Sequence, residues 1–309
     1  MPLLDLILTY DCNLACDYCT ITTEMRARSL STAAVVDALR RGRALAYDAV
    51  SFSGGEPTIR SDLLGLVRAA RSLGYSDIKV QSNGLLFAHG PNIDRIVAAG
   101  ANRFHVSIHT HDASAYDALV RREGAYASMV AGVDALVARR VRFTADVILN
   151  TDTYRKLPDA VRWLHARGVR SVDLWFVSLT DGNRDNVASM PRMTETLPQV
   201  HEALAFARTH DMHARSLHIP RCLLGDDVAH AWDPAAGGVM VVTPDATFTL
   251  ESSKLAGHTH VPACDGCVHR VVCAGVRPDY LERFGDEEIA RARGQGAQIA
   301  ARRSLGIVP

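Results

Sequence analysis

Along the chain, short runs in which apolar residues crowd or alternate are separated by longer stretches in which they recur every three or four positions. The short runs are LLDLILTY (3–10), AVSFSG (49–54), DIKVQSN (77–83), RFHVSIHT (103–110), VRFTADVILN (141–150) and SVDLWFVSL (171–179). They are rich in β-branched and aromatic residues, which predicts strands. Between them, 32–47, 61–75, 92–100, 114–140 and 157–168 carry the helical period, and several close on the AAG, SLG or ARG that suits a helix C-cap. Six strand–helix units in series predict an α/β protein with a parallel sheet and right-handed crossovers, as an open doubly wound sheet or a barrel. A further helix over 194–210 closes this region. Beyond it the rhythm breaks into a hairpin over 237–250 with TPDA at its turn, a cysteine-bearing stretch, and a last helix over 286–305. The expected division is therefore 1–212 and 213–309.

Composition narrows the function classes. The 309 residues are 48% hydrophobic and 22% charged, as a globular chain should be. Basic and acidic residues both number 34, which argues against nucleic acid or an anionic membrane as partner. The opening MPLLDLILTY has no basic start and an Asp in its middle, so it reads as a strand and not as a signal peptide. No window is apolar enough to span a bilayer. Seven cysteines, an odd number, point to a reducing, cytoplasmic setting and to metal ligation over disulfides.

Three of those cysteines, Cys12, Cys16 and Cys19, fall within YDCNLACDYC, in the loop that leaves the first strand. In either parallel architecture, ligands bind at the C-terminal ends of the strands. Thiolates spaced Cys-x3-Cys-x2-Cys suit three corners of a [4Fe–4S] cluster, and with no local fourth thiolate one iron stays open. A zinc ion would want a fourth ligand nearby, which the loop lacks. After the second strand comes SGGEPT (53–58). Gly54 and Gly55 permit a sharp turn and close backbone approach, Glu56 supplies an anion, and Pro57 stiffens the exit.

Together these two motifs resemble the radical S-adenosylmethionine (SAM) superfamily, over roughly the first 210 residues. The resemblance implies a partial (β/α)6 TIM barrel, a [4Fe–4S] cluster on Cys12, Cys16 and Cys19 whose open iron chelates SAM, and a Gly54-Gly55-Glu56-Pro57 segment that holds the methionine amino group. Tyr18, just before the third cysteine, matches the family's aromatic position. Ser82, Asn83 and Gly84 resemble a segment lining the cofactor pocket, while Ser107 and Asn150 match residues that reach the SAM ribose or carboxylate. The implied chemistry is one-electron cleavage of SAM to a 5′-deoxyadenosyl radical that abstracts hydrogen from carbon. The electron comes from an external donor of the flavodoxin or ferredoxin type.

The other four cysteines are Cys222, Cys264, Cys267 and Cys273. By spacing alone they suit zinc or an iron–sulfur cluster. In context they resemble the auxiliary-cluster (SPASM or twitch) domains that follow radical SAM barrels, which implies a second, fully ligated [4Fe–4S]. Where that pattern has a cysteine after the hairpin, this chain reads Glu251, Ser252 and Ser253. The single auxiliary cluster resembles the radical epimerases of aminoglycoside biosynthesis, in which a thiol quenches the substrate radical. Ser252 or Ser253 would stand in that donor's place, and a hydroxyl gives up hydrogen far less readily.

The expected substrate is a small polar molecule, an amino sugar or aminocyclitol, undergoing epimerisation or oxidation. Asp146, Asp173, Asp181 and Glu251 are candidates to hold its amino groups, with His109 and His111 for hydroxyls or protons. A maturase of a ribosomal peptide is the alternative within the class, and a non-catalytic zinc or iron–sulfur protein the alternative outside it.

Overall fold

The computed structural model describes residues 2–232, 238–250 and 259–292. Its strands are β1 (Leu3–Thr9), β2 (Ala49–Gly54), β3 (Asp77–Ser82), β4 (Arg103–Ser107), β5 (Phe143–Leu149), β6 (Ser171–Phe176), β7 (His213–Leu217), β8 (Val239–Val242) and β9 (Thr247–Thr249). They form one sheet in the order β7-β6-β5-β4-β3-β2-β1-β8-β9, parallel from β7 to β8 and antiparallel only between β8 and β9. Each of the first six strands lies within the expected run. This is the α/β fold of a partial TIM barrel.

The helices are α1 (Thr32–Ala44), α2 (Leu63–Ser72), α3 (Pro91–Ala99), α4 (Ala113–Val120), α5 (Ala125–Ala138), α6 (Leu157–Ala166), α7 (Met193–Thr209), α8 (Arg221–Leu224) and α9 (Pro278–Phe284). Side chains start two of them where the polar residues promised caps: the Ser31 hydroxyl accepts from the Ala34 N–H, and Asp112 accepts from that of Ala115. The single helix expected over 114–140 is two. Arg121 takes a left-handed φ of 52° and ends α4, so the chain turns before α5 begins. Of the helix expected over 286–305, only the part to 292 lies within the described residues.

The sheet has two unlike faces. Leu4, Leu6, Leu8, Val50, Phe52, Ile78, Val80, Phe104, Val106, Ala145 and Val147 are buried in the core that packs under the helices. By the two-residue alternation of a strand, the concave face carries Asp5, Ser51, Lys79, His105, Asp146, Asp173 and Arg215. One side of the sheet thus supplies hydrophobic stabilisation and the other a polar lumen.

One strand escapes the sequence pattern: HARSL (213–217) pairs with β6, while β8, the first strand of the expected hairpin, joins the other end of the sheet by pairing parallel to β1. Both lie beyond the boundary expected near residue 212. The hairpin over 237–250 is present as β8 and β9, and the N–H of Thr243 donates to the carbonyl of Ala246 across the turn (2.8 Å). Its turn is tied to the first loop: the Tyr10 hydroxyl donates to Asp245 (3.0 Å), which also pairs with Arg28 (2.6 Å).

Candidate active site at the first cysteine loop

β1 delivers the chain at Tyr10 to the mouth of the barrel, and the cysteine loop that follows is held by backbone bonds at both ends. At its start, the N–H of Gly55 donates to the carbonyl of Thr9 (2.7 Å) and that of Glu56 to the carbonyl of Asp11 (2.8 Å). Such close strand-to-loop contact requires the paired glycines. A Cβ on Gly54, where φ is +132°, would lie 2.3 Å from the Thr9 oxygen, and one on Gly55 2.1 Å from that of Asp11. The glycines therefore bring the motif against the cysteine loop itself. Further along, the N–H of Asp17 donates to the carbonyl of Leu119 at the end of α4 (2.9 Å). Arg26 donates to the carbonyls of Cys12 (3.1 Å) and Leu14 (2.7 Å) and clamps the loop from outside. Asn186 donates to the carbonyl of Asp17 (3.0 Å).

The three thiols share a half-buried environment. Burial pushes Cys16 up to about 12, with the neighbouring Cys19 and Cys12 adding repulsion, and raises Cys12 as well. Two neighbouring thiols, Cys12 and Cys16, that resist ionising fit a positively charged metal group that would offset their ionisation. Three thiolates with no fourth in the loop suit three corners of a cubane cluster.

Glu56 is fully buried, and its carboxylate collects donors from three residues on two segments. Oε1 accepts from the Thr58 N–H (3.0 Å), the Thr58 hydroxyl (2.5 Å) and the Ser82 hydroxyl (2.9 Å), and Oε2 accepts from the Asn83 N–H (2.7 Å). Burial raises its pKa while these bonds lower it. Among the described residues no Lys or Arg pairs with it. A buried anion held by neutral donors beside the cysteine loop fits a cofactor bearing an ammonium group. Asn83 also donates to the side-chain oxygen of Asn13 (2.7 Å), so the ends of β2 and β3 and the cysteine loop form one network. Asn13 carried no sequence signal beyond its place between two cysteines.

The other expected positions divide. Tyr18 hydrogen-bonds His109 through its hydroxyl, with the two rings edge to face at 4.8 Å. Ser107 ends β4 opposite Asp146 in the register. Asn150 is buried, but its side-chain oxygen accepts from the N–H groups of Asp152 (3.1 Å) and Thr153 (3.0 Å), closing a local turn. Asp173 is bound by Arg215 through two nitrogens, one at 2.8 Å, and Asp146 meets Nδ1 of His105 (3.0 Å). His105 and Arg215 were not anticipated; their place opposite inward-facing acids shows only once β4 to β7 are set side by side. Ser252, Ser253 and Glu251 lie outside the described residues.

The remaining thiols gather at the far side of the sheet. Cys222 sits in α8 just after β7, and with Cys264, Cys267 and Cys273 it lines a small cleft that His260 and His269 also border. Burial, then repulsion from Cys273, Cys267 and Cys264, pushes Cys222 up to about 12. The loop is shaped by short backbone bonds, including the N–H of Cys267 to the carbonyl of Cys264 (3.1 Å). Arg277, itself buried, joins this region to the barrel through Asp279, Ser178 and His218.

Comparison with known proteins agrees with this geometry. The Radical SAM superfamily profile matches residues 6–211. Among curated relatives, a probable GTP 3′,8-cyclase of Methanopyrus kandleri is 31% identical over 158 residues, 50% of this chain and 50% of that protein. The PqqA peptide cyclase of Gluconobacter oxydans is 27% identical over 169 residues, 54% of this chain and 47% of that protein. The chain thus spans about half the length of the curated relatives it matches. Among solved structures, native anSMEcpe with bound AdoMet and Cp18Cys peptide superposes with a TM-score of 0.67 at 13% identity, covering 98% of this chain and 99% of that one. Streptococcus suis SuiB bound to S-adenosylmethionine gives 0.64 at 13% identity, covering 91% and 74%. No helix among the described residues is long and apolar enough to cross a membrane. With the profile spanning both the cysteine loop and the Gly-Gly-Glu-Pro segment, the chain belongs to the Radical SAM superfamily.

Proposed function

We propose that this protein reductively cleaves SAM and uses the resulting radical to abstract hydrogen from a residue of a peptide substrate. The observation that carries the SAM step is the pair of backbone bonds joining Gly55 and Glu56 to the cysteine loop, which sets a buried anion beside three converging thiols. Cys12, Cys16 and Cys19 would hold the [4Fe–4S] cluster, and Glu56 would take the ammonium end of SAM. When bound, the cluster supplies the electron that breaks the C–S bond of SAM. The chain's own part is positional: Arg26 and Asn186 fix the loop, and the lumen walls keep the reacting groups together and limit water.

For the substrate, a peptide is favoured over an amino sugar on two grounds. One curated relative is a peptide cyclase, although another is a nucleotide cyclase. In addition, Asp173, one of the acids expected to hold amino groups, is already neutralised by Arg215, and Asp146 is engaged by His105. We further infer that Cys222, Cys264, Cys267 and Cys273 hold a second, fully ligated [4Fe–4S], with electron transfer or structure as its role. Incubation of the anaerobically reconstituted protein with SAM and dithionite should release 5′-deoxyadenosine, and a panel of peptides and aminocyclitols should raise that release only in the peptide arm. Stimulation by aminocyclitols alone would return the reading to a sugar-modifying enzyme.

A further inference from the structure

We propose that His105, Asp146 and Asp173 form a binding site for one divalent first-row transition ion, inside the lumen and separate from both groups of thiols. The inference goes beyond the SAM reading and does not depend on it.

The three side chains come from neighbouring strands. β4 pairs with β5 and β5 with β6, and the register sets Asp146 opposite Asp173. By strand alternation all three stand on the concave face. One ring nitrogen of His105 and one carboxylate oxygen of each acid lie within 4.8 Å of one another. All three residues are buried, at 6%, 5% and 0% exposure. Small side-chain rotations gather such atoms around one ion, whose bonds to nitrogen and oxygen are about 2.0–2.2 Å long. Asp146 also lies opposite Ser107, the last residue of β4, so the ion would tie three strands together just below the strand ends.

The existing bonds leave one charge unmet. Oδ1 of Asp146 meets Nδ1 of His105 (3.0 Å), but Oδ2 is buried with no hydrogen-bond partner among the described residues. A carboxylate oxygen sealed from water without a donor is costly, and a cation removes that cost. Arg215 neutralises one acid and not two. It donates to both oxygens of Asp173, through Nε (2.8 Å) and a terminal nitrogen. A carboxylate offers about four lone-pair positions, so Asp173 keeps some for a metal. Arg103, on the same side of β4, is paired with Asp77 (3.1 Å). Two carboxylates against one guanidinium leave the pocket negative. Oδ2 is closed to solvent, so a hydrated ammonium group does not reach it, whereas a bare ion fits. One imidazole with two carboxylates suits Mn2+, Fe2+ or Zn2+, and the lack of a thiolate separates this donor set from the cysteine sites.

The test uses Mn2+ alone as the probe, because thiolates are poor ligands for it. The anaerobically reconstituted protein is treated briefly with EDTA, desalted and titrated with Mn2+. The room-temperature electron paramagnetic resonance signal of the free ion reports how much stays unbound. The parent should take up about one Mn2+ per chain, and Asp146→Asn, which keeps the shape but removes the charge, should bind it at least about tenfold more weakly. His105→Phe should lose uptake in the same way. Mn2+ should also raise the thermal midpoint of the parent and leave that of Asp146→Asn unmoved. A parent that binds no Mn2+ would overturn the proposal and leave a proton as the partner of Oδ2. Equal binding by the parent and both variants would overturn it as well, placing the ion elsewhere. If Asp146→Asn fails to fold, His105→Phe decides alone, and binding equal to the parent's sinks the site. None of these readouts involves SAM, so failure here leaves the proposed function standing.

Discussion

The N–H of Glu56 donates to the carbonyl of Asp11 at 2.8 Å, so the anion that follows the paired glycines and the residue that precedes Cys12 are one rigid piece. A methyl group at Gly55 would sit 2.1 Å from that same Asp11 oxygen, and backbone cannot yield as a side-chain tip can. Gly55→Ala should therefore cost at least about 1–3 kcal/mol, the scale of overpacking, and should lower iron bound at the first site. Gly65→Ala is the control. No atom lies within 4 Å of its added Cβ, and in α2 it should stabilise by up to about 1 kcal/mol. Denaturant titration of both variants, with iron analysis, separates a local clash from a general effect of replacing glycine.

Glu56→Gln keeps the shape but turns one acceptor into a donor. Its new amide would face either the N–H of Asn83 or the donors at Thr58 and Ser82, and neither arrangement satisfies all of them. The loss should be on the order of 1–3 kcal/mol in stability, with SAM affinity falling by a similar amount. Isothermal titration with SAM against the parent measures the second effect. An unchanged affinity would make Glu56 a purely structural anion.

Iron analysis distinguishes the two thiol groups. The parent, reconstituted without oxygen, should carry about eight irons per chain if both sites hold cubane clusters. A Cys12, Cys16 and Cys19 triple-alanine variant should retain about half, with release of 5′-deoxyadenosine abolished. Replacing Cys264 and Cys267 should remove the other half. Zinc at stoichiometric amount in the second site, without sulfide, would convert that site to a structural ion.

How much of this was written in the sequence depends on whether the information was local. β1 to β6 were legible because each buries one face under helices, so Leu4, Leu6 and Leu8, or Ile78 and Val80, recur at the strand's own period. HARSL was not legible as β7. It is five residues long, with His213 exposed and Arg215 turned to the lumen, and only its pairing with β6 makes it a strand. The three-cysteine loop and the glycine pair stood out by spacing. Their contact partners did not: Asn13 meets Asn83 across 70 residues, and Arg215 meets Asp173 across 42. The break between α4 and α5 was hidden because an arginine, not a glycine, takes the left-handed turn at 121.

The pair of Asp173 and Arg215 gives a prediction of its own. Asp173 is completely buried on the lumen face, and Arg215 reaches it with two nitrogens. Arg215→Met leaves the carboxylate without its cation and should cost about 3–5 kcal/mol. The double variant Arg215→Met with Asp173→Leu should recover a large part of that, because two apolar groups of similar size need no partner. Denaturant midpoints of the two single variants and the double variant give the coupling. A Arg215→Met variant as stable as the parent would mean that the charge finds another neighbour in the lumen.

The imidazole of His109 makes stability depend on pH with a definite sign. Burial pushes its pKa down from 6.5 to about 4. Above pH 6.5 the ring is neutral in both folded and unfolded chains and contributes no slope. Below that, the unfolded chain takes up a proton that the folded one refuses until about pH 4, so stability is lost as pH falls through this window. Between about pH 7.5 and pH 5.5 the loss attributable to this ring is about 1.4 kcal/mol, one pKa unit's worth. His109→Gln has no such group, so over the same range it should lose that much less than the parent. Urea titrations of the reconstituted parent and variant at the two pH values measure the difference. Equal losses would mean that the folded ring takes up its proton as readily as the unfolded one, and so that burial does not hold it neutral.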